Sequence, residues 1–281
     1  MRWLSFEKDG TRSFGLVTGE SVVDVGKHES RFKSFKALLA SGEIDTVGAK
    51  AGARDPDYAL SEIQFLPVVI HPDKIMCAGI NYKAHQEETG RDPTAQPTIF
   101  TRFASTQVGH GRDMIKPEES DHLDFEGEIA LIIGKAGRRI SLENALLHVA
   151  GFSCYNDGSV RDYQRHTSQF TPGKNFVDTG GFGPWMMTQD EIGNLDDMEI
   201  TTRLNGQVMQ NSKASLLIFG FAELIQYCSV FTELVPGDVI VTGTPGGVGA
   251  ARNPPVFMQP GDEIEIEVKP IGKLTNTIRE G

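Results

Sequence analysis

From Lys74 onward the chain is written in short apolar runs bounded by turn residues, and this pattern restricts the fold more than any other feature. Lys74 to Ile80, Glu128 to Ile133, Ala150 to Tyr155, Asp238 to Val241 and Glu263 to Val268 have the length and residue types of strands. Val235-Pro236-Gly237-Asp238 and Gln259-Pro260-Gly261-Asp262 put the same Pro-Gly-Asp turn ahead of two of them. Helical periodicity is sparse: Ser141 is placed to cap Leu142, Ala145, Leu146 and Val149, and Leu216 to Tyr227 carries an apolar face. Strands do not alternate with helices as a doubly wound sheet or a TIM barrel requires. The expected fold class is α+β, mostly β, with peripheral helices.

Residues 1–68 predict a small N-terminal α/β unit ahead of a catalytic unit over 69–281. Arg2 to Phe6, Ser13 to Val17 and Ser21 to Val25 alternate, and Asp9-Gly10 and Thr18-Gly19 separate them in hairpin fashion. Phe32, Phe35, Leu38 and Leu39 then recur at helical spacing up to Gly42, and the stretch from Gly48 to Asp57 reads as a linker.

With 38 acidic against 27 basic side chains the net charge is −11, which speaks against nucleic-acid and anionic-membrane partners. No stretch approaches the ~20 apolar residues of a membrane span. The N-terminus lacks the apolar core of a signal peptide. Three cysteines without Cys-x-x-Cys spacing fit a reducing compartment, so a cytoplasmic location is expected.

Several segments hold polar groups at spacings that carry chemistry. In Asp124-Phe125-Glu126-Gly127-Glu128, Glu126 and Glu128 share one face of a strand, either as a solvated edge or as oxygen ligands for a hard divalent cation. Asp157 ends the next strand in an Asp-Gly turn and offers a third carboxylate. The absence of a His pair at zinc spacing and of a Cys cluster disfavours zinc.

Arg161 and Gln164 follow Asp157 at helical spacing, as a surface pair or as groups that recognise a carboxylate or oxo oxygen. Lys174 lies in a Pro-Gly loop framed by aromatics, either as a solvent-facing loop lysine or as a partly desolvated one whose pKa is lowered. His85 and Glu88 sit three apart in a short helix with Asn81 as cap and Gly90 as stop, either as a surface pair or as a general base oriented by its carboxylate. Thr244 lies in a Gly-rich turn after a strand, whose amides and hydroxyl suit an anion; no Lys-Ser/Thr follows, so it is not a P-loop.

Taken in order, NYKAHQEE, FEGEIALIIG, NDGSVRDYQ, TPGKNF and VIVTGTPGGVG resemble the fumarylacetoacetate hydrolase family from about Lys74 to the C-terminus. The resemblance implies a mixed β-roll with an N-terminal accessory domain, and a homodimer. It implies Glu126, Glu128 and Asp157 as ligands of one Mg²⁺ or Mn²⁺, and His85 with Glu88 as a water-activating dyad on a mobile lid. Lys174 would stabilise an oxyanion or donate a proton, and Arg161, Gln164 and Thr244 would bind a small-molecule 2-oxo acid. Where many members carry Lys, this chain has Arg102, a departure expected to alter the distal substrate pocket. The expected activity is hydrolysis of a carbon–carbon bond in a 2,4-dioxo acid such as maleylpyruvate or fumarylpyruvate, giving pyruvate and a carboxylic acid. The alternatives are oxaloacetate decarboxylation, isomerisation or hydration of a 2-oxo acid, and a non-catalytic binding role.

Overall fold

The computed structural model describes all residues 1–281. At its centre lies the strand Gly127–Ile133, buried at every position. Successive side chains of a strand leave opposite faces, and the apolar run Ile129 to Ile133 within it needs a core on both. Ile129, Leu131 and Ile133 pack with Ile200, Ile264, Ile266 and Val268, whereas Ala130 and Ile132 pack with Trp3, Phe35, Val239 and Val241.

Val149–Asn156 pairs antiparallel with this strand on one side and Val239–Val241 on the other. Ile75–Gly79 joins Val239–Val241 in parallel, and Thr98–Arg102 forms the edge beyond it. In the other direction come Gly180–Thr188 and then Arg2–Lys8, with Arg2 opposite Met187, so the N-terminal hairpins continue the central sheet. A second sheet runs Gln207–Lys213, Glu199–Leu204, Glu263–Lys269, Gly272–Glu280, Asp113–Lys116. The molecule is mostly β without a closed barrel, because Tyr58–Ala59 and Thr98–Arg102 stand at opposite ends of the long sheet.

Local chemistry sets the boundaries. Asp9 and Gly10 both have positive φ (50° and 77°) between the paired Lys8 and Thr11, as a two-residue hairpin of this hand requires. Ser34 caps the helix Phe35–Ser41 by accepting from the Ala37 N–H at 3.2 Å, and Gly42 ends it at φ 71°. The linker expected over 48–57 is helical through Gly52, within Ile44–Gly52. Small residues there permit close approach rather than flexibility: a Cβ on Gly48 would collide with Met1 and lie 3.1 Å from Trp3.

The helix expected from Leu216 starts later, at Phe221–Phe231, where Glu223 accepts from the Gly220 N–H at 2.7 Å. Leu142–His148 forms a 3-10 segment, not an α-helix, and the Ser141 hydroxyl makes no capping bond to its backbone. No helix is long and apolar enough to cross a membrane.

Candidate metal and substrate site

Glu126 and Asp157 meet because their strands do. Gly127 pairs with Asn156, which places one acid just before Gly127–Ile133 and the other just after Val149–Asn156. The Asp157 N–H donates to the Glu126 carbonyl at 2.8 Å, and the Asn156 side chain accepts from the Glu126 N–H at 3.1 Å. Glu128 follows one turn of the pleat later. Glu126, Glu128 and Asp157 are buried and each offers a carboxylate oxygen within 4.8 Å of the others.

Basic side chains surround the cluster. Lys174 Nζ donates to Glu126 at 2.8 Å and to Asp157 at 2.6 Å. Arg161 donates from Nη1 to Glu126 at 2.6 Å and to the Gln164 amide oxygen at 2.9 Å, and from Nε to Asp124 at 2.8 Å. Its Nη2 is buried without a partner. Arg102 reaches Asp157, and of the three clustered acids only Glu128 has no ion pair; its carboxylate accepts one backbone N–H, from Gly243 at 2.5 Å.

Burial pushes the Glu126 carboxyl up, but Lys174 and Arg161 outweigh it and hold Glu126 well below the carboxylate range. Burial, Asp157 and Glu126 instead push Glu128 well above it. Three converging carboxylate oxygens, one of them short of positive charge, fit a hard divalent cation. Lys174 differs from expectation. Burial alone would lower its pKa, but Asp157 and Glu126 overcome burial and raise it, so the ammonium is held charged. Lys174 also belongs to a short helix, Thr171–Lys174, rather than an open loop.

The helix Lys83–Thr89 carries His85 and Glu88 to the same cavity, of about 400 Å³. His85 Nδ1 lies 2.7 Å from Glu88 Oε1, while Glu88 Oε2 accepts from the Gly247 N–H at 2.8 Å. Gly90 ends the helix at φ 64°, as expected. Asn81 does not cap it. Tyr82 is the cap residue, and the Asn81 amide turns inward to the Phe219 and Thr242 carbonyls at 2.9 and 2.8 Å, which pins the start of the helix to the strand leading into the Gly-rich turn. Gln164 and Thr244 line the cavity as well. The Thr244 hydroxyl donates to the Gly127 carbonyl at 3.0 Å and accepts from Gln210 at 2.8 Å, so its proton is already committed to the fold.

One residue that matters here escapes the sequence reading, and a second lies elsewhere than expected. Asp124 is fully buried and accepts from Arg161 and from the Gly249 and Ala250 N–H groups at 2.8 and 2.9 Å, tying the guanidinium to the cavity wall. Its only sequence signal is membership of the same acidic run. Arg102 does not face the distal pocket. It is buried behind Asp157, donating also to the Gly158 carbonyl at 2.8 Å and to Thr179 at 2.9 Å.

The chain as a whole is similar to known proteins. Residues 74–279 match the family model described as fumarylacetoacetate (FAA) hydrolase, C-terminal. Oxaloacetate tautomerase YisK of Bacillus subtilis (strain 168) is 41% identical over 285 residues, covering 94% of either chain. The mitochondrial oxaloacetate tautomerase FAHD2A of Bos taurus is 38% identical over 271 residues, covering 94% of this chain and 86% of the relative. The solved structure of a fumarylacetoacetate hydrolase from Exiguobacterium antarcticum superposes with a TM-score of 0.85 at 32% identity, over the full length of both chains.

Proposed function

This chain belongs to the fumarylacetoacetate hydrolase family, and from that premise we propose that it moves a proton between C3 and the 2-oxo oxygen of a small 2-oxo acid, with oxaloacetate as the favoured substrate. The observation that carries the reading is an imidazole oriented by Glu88 through Nδ1, its Nε2 free of protein partners, in the cavity that Glu126, Glu128 and Lys174 also line. The relatives named oxaloacetate tautomerase support this branch over the hydrolysis expected from the motifs.

Glu126, Glu128 and Asp157 would hold one Mg²⁺ or Mn²⁺, whose contribution when bound is Lewis-acid polarisation of the 2-oxo group, making the C3 protons more acidic. Arg161, steadied by Gln164 and Asp124, offers its unpartnered Nη2 to the 1-carboxylate. His85 Nε2 takes the proton from C3 and delivers it to the oxygen on C2; in the reverse direction it returns the proton to carbon. Glu88 stabilises the imidazolium between the two transfers. Lys174 stays charged and faces the negative charge that develops on the C2 oxygen as a fixed positive group, rather than supplying the proton.

The same oriented imidazole suits deprotonation of water, which keeps hydrolysis of an acylpyruvate as the second reading. One assay separates the two. Loss of enol absorbance from oxaloacetate is followed with Mg²⁺ or Mn²⁺ and again with excess EDTA, while released pyruvate is measured through lactate dehydrogenase. Faster, EDTA-sensitive enol–keto exchange without pyruvate above the blank is expected, slowed by roughly 10² to 10⁴ in H85A. Metal-dependent pyruvate from maleylpyruvate, fumarylpyruvate or acetylpyruvate, with no acceleration of exchange, would install the hydrolase instead.

A further inference from the structure

Four lysine and arginine side chains line the site cavity, and they are of two kinds. Lys174 and Arg161 are buried, and each is ion-paired to two carboxylates. Arg91 and Arg165 are exposed, and neither guanidinium makes an ion pair or hydrogen bond with the protein. Both stand close to Phe170 in the fold or the chain: the Arg91 guanidinium lies 5.9 Å from its ring centroid, and Arg165 precedes it by one short loop.

Burial sorts the lining residues by depth. Glu126, Glu128, Arg161, Lys174 and Thr244 form the floor, whereas Arg91, Arg165 and Thr167 form the mouth. The one acid at that level, Glu88, already serves His85 and Gly247. The mouth of this cavity therefore carries two uncompensated positive charges in a chain whose net charge is −11. Unpaired guanidiniums around a concave site attract an anionic group and can clamp a carboxylate through two parallel N–H donors.

We infer that Arg165, assisted by Arg91, receives the distal carboxylate of the substrate, so that the chain selects 2-oxo dicarboxylates over monocarboxylates. The assignment of the near carboxylate to the floor rests on the function proposed above. The mouth groups touch neither C3 nor the 2-oxo oxygen, so their removal changes affinity for the dicarboxylate and not the orientation of the near end.

The test uses a matched pair of stable 2-hydroxy acids that differ in the distal carboxylate: malate and lactate, titrated by calorimetry into the full-length Mg²⁺-loaded chain. The parent is expected to prefer malate. Arg165→Gln should weaken malate about tenfold while leaving lactate unchanged, Arg165→Lys should fall between, and Arg91→Gln should have a smaller effect of the same sign. Unchanged lactate binding also shows that the variants are folded. A parent that does not bind malate, or binds it no better than lactate, overturns the inference, as does an Arg165→Gln variant that loses both ligands equally. Because the titration reads binding alone, a malate preference that depends on Arg165 survives even if enol–keto exchange proves absent.

Discussion

Arg102 Nη1 lies 2.5 Å from Asp157 Oδ1, and neither side chain has any exposure to solvent. A charge pair so enclosed does more for geometry than for stability, because desolvation offsets most of its attraction. Its other bonds, to the Gly158 carbonyl, Thr179 and Thr106, fix the plane of the guanidinium and through it the orientation of the acid. Arg102→Met leaves Asp157 one cation short and should weaken Mn²⁺ binding by roughly 10- to 100-fold, the usual cost of losing a group that orients a ligand. Arg102→Lys should recover most of it. Titration followed by the electron paramagnetic resonance of free Mn²⁺ reads both; equal affinity in parent and Met variant would remove Arg102 from the site.

Glu128 is the one acid of the cluster without a cationic partner, and burial with its acidic neighbours pushes its carboxyl toward the neutral form. Glu128→Gln is then close to an isosteric replacement in the metal-free chain and should leave its melting temperature unchanged or slightly higher. The same variant should lose the thermal stabilisation that saturating Mn²⁺ gives the parent. A Gln variant that melts well below the metal-free parent would mean that the charged form is what the fold requires.

Asp124 fastens Arg161 and the Gly249–Ala250 backbone to one carboxylate. Asp124→Asn keeps an acceptor oxygen but removes the charge, so Arg161 should lose its alignment toward substrate. KM should rise about tenfold with kcat nearly preserved. A fall in kcat at constant KM would place the effect on the proton transfer itself.

His110 provides a pH test away from the site. Burial lowers its pKa, and its Nδ1 accepts the Thr275 N–H at 3.1 Å, which requires an unprotonated ring nitrogen. The folded state therefore binds fewer protons than the unfolded state below the ordinary histidine value of about 6.5. Stability attributable to His110 is complete above that pH and declines as pH falls through it. Melting temperatures at pH 7.5 and about 5.5 should show a smaller drop for His110→Gln than for the parent; an identical drop would assign the effect to other groups.

Much of this arrangement is legible in the sequence because it is local. Apolar runs such as Glu128 to Ile133 mark strands whose two faces are both buried, and His85 with Glu88 or Arg161 with Gln164 are three residues apart on one turn of helix. What escapes is non-local or ambiguous in composition. Arg102 finds Asp157 55 residues away, and Asn81 finds the Thr242 carbonyl 161 residues away. Nothing near either position encodes its partner. The Ala- and Gly-rich segment after Val47 resembles a linker in composition, yet small side chains are what allow its helix to sit against Met1 and Trp3. The sign of the Lys174 shift likewise depends on two acids brought in from other strands.

Glu88 has only two oxygens, and both are engaged: one aligns the His85 imidazole and the other holds the backbone of Gly247. Any outward swing of the helix Lys83–Thr89 large enough to break the second bond carries the imidazole away from the carboxylates in the same movement. The position of this helix and the aim of the imidazole are thus one variable, set by a single carboxylate.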